Sequence, residues 1–128
     1  MLIDLSVQLN EKTPVYPGDP ETSIKPAGIL DKDGFCDHYI SMGTHVGTHM
    51  DAPMHMLEGG ISLDQIPVDH FAGRGRFVEV EDGSFESVKN AGIQEGDIVL
   101  FQTGMSEKYH ESVYFENYPA MSEDTANY

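Results

Sequence analysis

Residues 45–55 read His-Val-Gly-Thr-His-Met-Asp-Ala-Pro-Met-His and hold three of the chain's six histidines together with Asp51. Any fold this chain adopts has to accommodate four ligand-bearing side chains, His45, His49, Asp51 and His55, within this short run. Neutral imidazoles and a carboxylate are the donors that borderline divalent cations such as zinc prefer, so the run is a candidate metal site. On a helix turning about 100° per residue His45 and His49 share a face, but Asp51 points away and Pro53 breaks the turn. In an extended segment side chains alternate, and positions 45, 49, 51 and 55 have the same parity. The spacing therefore predicts a strand running into a loop that aims all four one way, with Gly47 allowing backbone or metal to approach closely.

Two blander readings compete. Ordinary hydrogen-bonded histidines are the first, but without a cation four such groups on one face are costly to bury together. A structural zinc site is the second. Such sites are closed tetrahedral sets rich in cysteine, whereas Cys36 is the chain's one cysteine and lies outside any Cys-x-x-Cys pattern. Three ligands with a spare polar partner describe an open, catalytic arrangement instead.

The pattern His-x-Gly-Thr-His-x-Asp-x-Pro-x-His, filled at every fixed position, resembles the signature of the cyclase family of metal-dependent hydrolases, which includes bacterial kynurenine formamidase and isatin hydrolase. The resemblance extends upstream to Asp4-Leu5-Ser6 and to Thr13-Pro14-Val15-Tyr16-Pro17-Gly18-Asp19. Downstream it takes in Ser62-Leu63-Asp64-Gln65-Ile66-Pro67 and the segment from Gly96 to Gly104. It implies an α/β fold, a three-layer β/β/α domain of the swivelling type, with residues 1–128 forming the amino-terminal portion of one domain. It also implies that His45, His49 and Asp51 bind a first metal and that Asp51 bridges to a second in a binuclear centre. His55 resembles the family's proton donor and acceptor. Tyr16 stands where kynurenine formamidases typically carry Trp, as an aromatic wall against substrate. The family supplies a further His and a Glu from beyond position 128, so the resemblance implies a missing carboxy-terminal part. The metal expected is zinc, with manganese as the alternative, since nitrogen and oxygen donors suit both.

A divalent ion in such a centre lowers the pKa of its water towards ~7 and polarises a carbonyl. An imidazole such as His55 is suited to moving the proton. The reaction implied is hydrolysis of a carbon–nitrogen amide bond in a small linear formamide or a cyclic amide. A metal-binding but inert fragment, and a non-enzymatic small-molecule binding module, are the alternatives. The expected partners are a small amide and further copies of the chain, as a dimer or larger homo-oligomer.

With 22 acidic against 7 basic residues and a net charge of −15, the chain is unsuited to nucleic acid or to anionic membranes. Arg74 and Arg76 form the one basic spot and read as a solvated loop before a strand. No apolar stretch approaches the ~18 residues of a membrane span, and no secretion signal opens the chain. The cytoplasm is the default location, in keeping with a single cysteine, read as a small buried thiol.

Residues 1–9 alternate apolar and polar, predicting a half-buried strand. Tyr16-Pro17-Gly18-Asp19-Pro20 enforces a loop. Residues 35–42 are β-prone and lead through Gly43 into the metal run. Ser62 with Gln65 resembles a capping box, residues 77–81 alternate as a strand, and residues 84–91 suggest a short helix closed by Gly92. Residues 98–101 read as a buried central strand. Tyr109, Tyr114, Phe115 and Tyr118 surround His110, an aromatic group suited to ordinary packing, a pocket or a subunit contact. His38 and His70 read as structural or exposed. Ser122 predicts the N-cap of a helix whose first turn is acidic.

Overall fold

The computed structural model describes residues 3–80 and 84–128. It is a mixed α/β structure with two small sheets and divides into two compact units, Met1–Asp51 and Ala52–Tyr128.

In the first unit the predicted amino-terminal strand does not form among the described residues. Two of its backbone donors, the Ser6 and Val7 N–H groups, go to side chains instead of a ladder. Asp4 Oδ1 accepts from the Ser6 N–H at 2.9 Å and from the Ser6 hydroxyl at 2.6 Å, a local turn that competes with strand pairing. These bonds hold the Asp4 carboxyl below the usual range. The Val7 N–H donates to Thr48 Oγ1 at 2.9 Å. Ile3 and Leu5 remain exposed, while Val7 and Leu9 are each close to 60% covered.

Strand β1 (Ser23–Gly28) pairs antiparallel with β2 (Asp37–Ser41), from Ser23 opposite Ser41 to Pro26 opposite His38, with a bulge between Pro26 and Gly28. The connection contains α1 (Leu30–Asp33), which ends where Gly34 takes φ +78° and donates its N–H to Leu30 O. Cys36 sits in the turn before β2 and is exposed, not a buried thiol. Residues 16–20 form the expected turn, closed by the Asp19 N–H on Tyr16 O at 2.9 Å.

The second unit opens with three short 3-10 segments: Pro53–His55, Leu63–Gln65 and Val68–Phe71. The predicted capping box is present, with Gln65 Oε1 accepting from the Ser62 N–H at 3.0 Å. Strand β3 (Gly75–Glu79) then pairs in parallel with β4 (Ile98–Gln102), in register from Gly75 opposite Ile98 to Glu79 opposite Gln102. The expected strand over 77–81 is thus shifted towards the amino terminus, and Glu81 lies outside the described residues. The crossover carries a 3-10 segment, Glu86–Asn90, in place of the expected α-helix. Phe85 and Val88 flank and face the sheet from there. Phe85 meets Phe101 edge-on at 5.0 Å, and Val78, Phe85 and Val88 are buried.

The reading of residues 98–101 as a buried central strand is corrected. Among the described residues β4 pairs with β3 alone, and the face opposite Phe85 leaves Phe77 64% and Leu100 43% exposed. An apolar run identifies a strand that can be buried on both faces, but it does not supply the neighbours that bury it.

Arg74 lies, as expected, in the exposed loop before β3, whereas Arg76 is inside the strand, and both also pair with Asp97. Asp97, at the entrance to β4, has a side chain only 4% exposed. It takes two bonds of 2.8 Å from Arg74 Nε and Nη2, one of 3.2 Å from Arg76 Nε, and the Gln94 N–H at 3.0 Å. The bidentate Arg74 fork holds the Asp97 carboxyl well below the usual carboxylate range. Asp97 therefore binds its proton less readily in the folded chain than in the unfolded one. Its contribution to stability is complete above the unfolded carboxylate range near ~4 and is lost as pH falls through the depressed value. We expect Asp97→Asn to be less stable than wild type at pH 7 and the gap to narrow below pH ~4. Urea unfolding midpoints across that range check this, and a gap that persists unchanged in acid contradicts it.

The aromatic group packs internally. Tyr109 meets Tyr114 at 5.1 Å and Tyr114 meets Phe115 at 5.1 Å, both edge-on, whereas Tyr118 stays 57% exposed. His38 and His70 are exposed. At the end, α2 (Glu123–Ala126) is capped as expected, Ser122 Oγ accepting from the Thr125 N–H at 3.2 Å. Hydrogen bonds rather than an apolar stripe dock it: the Thr125 hydroxyl to Glu86 Oε1 at 3.4 Å and the Tyr128 hydroxyl to Lys89 O at 3.3 Å. No helix among the described residues is long and apolar enough to cross a membrane.

Candidate metal centre

The histidine run leaves β2 as a compact turn rather than as an extended strand. Val46, 5% exposed, anchors the turn in the first unit. Gly47 has φ +69°, and a Cβ there would stand 3.5 Å from Val7 Cγ2, 3.8 Å from Thr13 Cγ2 and 3.9 Å from Leu9 Cδ1. Those distances are ordinary contacts, so the left-handed backbone, not crowding, is what calls for glycine. The ligands converge because the chain reverses at Gly47, not because alternate positions of a strand face one way.

The carbonyl of Gly47 accepts from His49 Nδ1 at 2.8 Å. A carbonyl accepts only from an N–H, so Nδ1 carries a proton in this arrangement and Nε2 is the nitrogen turned towards the cluster. His49 Nε2 lies 3.3 Å from Asp51 Oδ1, and His45 Nδ1 donates to the same oxygen at 2.6 Å. The two imidazoles stand nearly perpendicular, centroids 5.2 Å apart. One ligand atom from each of His45, His49 and Asp51 falls within 4.8 Å of the others. Their side chains are 35%, 32% and 54% exposed, so the cluster is open to solvent on one side.

Two imidazole nitrogens, a carboxylate oxygen and no sulfur fit a borderline divalent cation. The backbone carbonyl behind His49 is the kind of outer partner that orients a metal-binding imidazole and fixes its tautomer. The remaining two site candidates lie elsewhere in the chain. Tyr16, 58% exposed, is in the turn of residues 16–20 of the first unit. His55 ends the Pro53–His55 segment that opens the second unit and is exposed. Sequence reasoning passed over Thr48 and the Gly47 carbonyl as supports of the turn, although both lie inside the motif. The signal available was Gly47 itself.

Residues 3–128 match the Cyclase family model. The kynurenine formamidase of Salinibacter ruber is 36% identical over 81 residues, covering 62% of this chain and 38% of the relative. Among solved structures, an isatin hydrolase bound to the product analogue thioisatinate superposes with TM-score 0.76 at 20% identity, over 98% of this chain and 61% of the other. A potential metal-dependent hydrolase with cyclase activity does so with TM-score 0.74 at 31% identity, over 98% and 60%. The chain spans about half or less of the length of the curated relatives it matches. The fold is that of these hydrolases, and by the match over residues 3–128 the chain belongs to the cyclase family.

Proposed function

We propose that this chain carries the metal-binding part of a hydrolase that cleaves the carbon–nitrogen bond of a small linear formamide or cyclic amide. The observation that carries the reading is the convergence of His45, His49 and Asp51 to within 4.8 Å, with His49 oriented by a backbone carbonyl. Those three residues hold one divalent ion, zinc in the first instance and manganese as the alternative. When bound, the ion supplies Lewis acidity, polarising a carbonyl and bringing water towards ionisation near neutral pH.

Amide hydrolysis forms a bond from water oxygen to the carbonyl carbon, breaks the bond to nitrogen and delivers a proton to the departing nitrogen. His55 takes the proton from water and returns it to that nitrogen, the dual role for which an imidazole is suited. Tyr16 offers its ring as an apolar wall to the acyl or aryl part of the substrate. The names of the relatives, kynurenine formamidase and isatin hydrolase, support an amide on an aromatic carrier. The protein acts in the cytoplasm as a homo-oligomer, a reading supported by exposed apolar side chains such as Ile3, Leu5, Tyr39 and Phe77.

The test is hydrolysis of N-formyl aryl amines and of cyclic aryl amides by zinc-loaded and manganese-loaded protein, followed by release of formate or ring-opened acid. Metal-dependent turnover of either class is expected. Stoichiometric metal with no turnover of any amide favours the inert reading, and saturable binding of such amides without turnover favours a binding module.

A further inference from the structure

The metal turn is tied to the amino-terminal segment by contacts that serve neither strand pairing nor the ligands themselves. Thr48 stands between Gly47, whose carbonyl orients His49, and His49 itself. Its Oγ1 accepts the Val7 N–H at 2.9 Å across 41 residues of sequence. Beside that bond, the side chains of Val7, Leu9 and Thr13 come within 3.5–3.9 Å of where a Cβ on Gly47 would stand. Thr13 is itself fixed, 5% exposed, with its N–H on Asn10 O at 3.0 Å and its Oγ1 accepting from the Asn10 N–H at 2.8 Å. The segment of residues 7–13 is thus a floor beneath Gly47, and the Thr48 hydroxyl fastens the turn to it.

We propose that Thr48 is a positioning residue: its hydroxyl, held by the Val7 amide, fixes the turn so that the Gly47 carbonyl keeps His49 Nε2 turned towards Asp51, where the cluster would hold a cation. The proposal rests on the reading of His45, His49 and Asp51 as ligands. Without the tether the left-handed turn at Gly47 loses its neighbour-to-neighbour constraint, and the imidazole has to be ordered when the cation binds. That ordering weakens affinity without removing a ligand. Loss of an outer partner of a metal ligand typically lowers affinity about 10–100-fold, and an indirect support belongs near the lower figure.

The experiment compares wild type, Thr48→Val, Thr48→Ala, Thr48→Ser and His49→Ala in cobalt(II) titrations followed by visible absorption. Ring nitrogen shifts of His49 in the metal-free chains, and thermal unfolding of each, are recorded alongside. We expect ~10-fold weaker cobalt binding in Thr48→Val and Thr48→Ala, wild-type affinity and absorption in Thr48→Ser, and loss of the Nδ1-protonated tautomer preference in the two variants without a hydroxyl. Thr48→Val binding cobalt as tightly as wild type, with an unchanged tautomer, overturns the proposal, as does Thr48→Ser behaving like Thr48→Ala. If wild type binds cobalt no better than His49→Ala, the metal reading fails. The tautomer comparison then still decides the tether: a shifted preference in Thr48→Val supports it and an unchanged one refutes it.

Discussion

Replacing His49 with alanine is expected to abolish stoichiometric binding of a divalent cation while leaving the fold in place. The cluster offers two nitrogens and one oxygen, and His49 is the ligand whose ring is oriented by a backbone carbonyl, with Nε2 3.3 Å from Asp51 Oδ1. Its removal leaves His45 and Asp51, which already satisfy each other at 2.6 Å, and a pair of donors does not make a tight zinc site. The fold is insulated because the side chain is about one third exposed and its hydrogen bond to the Gly47 carbonyl is local. Substitutions at such positions change stability by about 0.5 kcal/mol or less. Metal per chain after dialysis, together with thermal unfolding, checks both halves, and full metal content in the variant sinks the assignment.

The second large effect is expected at His55. His55→Ala should keep the metal and lower amide hydrolysis by ~10²–10⁴-fold, the usual worth of a positioned general acid–base. A ligand and a proton carrier are separated by this pair of readouts, since loss of a ligand removes both metal and rate. If His55→Ala loses the metal as well, His55 is a ligand and proton transfer belongs to another group. If the rate is unchanged, His55 has no part in the chemistry.

The candidate metal residues are legible in the sequence as a set, but the geometry that brings them together is not. The donor types at 45, 49 and 51 point to a cation whatever the backbone does. Parity, however, suggests a strand, and the structure brings the same residues together through a reversal at Gly47. A positive φ is invisible to a count of alternating positions, and the glycine in the motif was the one local sign of it. Short-range devices are read well: the Ser62–Gln65 box and the Ser122 cap involve partners three residues apart, and each forms as expected.

Long-range partnerships are where local reading stops. The alternation of residues 1–9 is a valid strand pattern, yet Asp4 turns the backbone at Ser6, and the Val7 amide is taken by Thr48. Asp97 and its two arginines lie 21 and 23 residues apart; read singly, each looks like a solvated charge. Cys36 follows the same logic in reverse, because a cysteine is buried only if something packs over it, and the turn before β2 leaves it open.

The X-ray absorption spectrum of the zinc-loaded chain tests the assignment of the metal centre most directly, because it reports the donor atoms themselves. One zinc per chain is expected in wild type, with nitrogen and oxygen neighbours only, at ~2.0–2.2 Å and with the outer scattering of two imidazoles, and no stoichiometric zinc shell of this kind in His49→Ala. A sulfur neighbour at ~2.3 Å, placing Cys36 in the site, or a zinc shell that is the same in wild type and His49→Ala, would contradict that assignment.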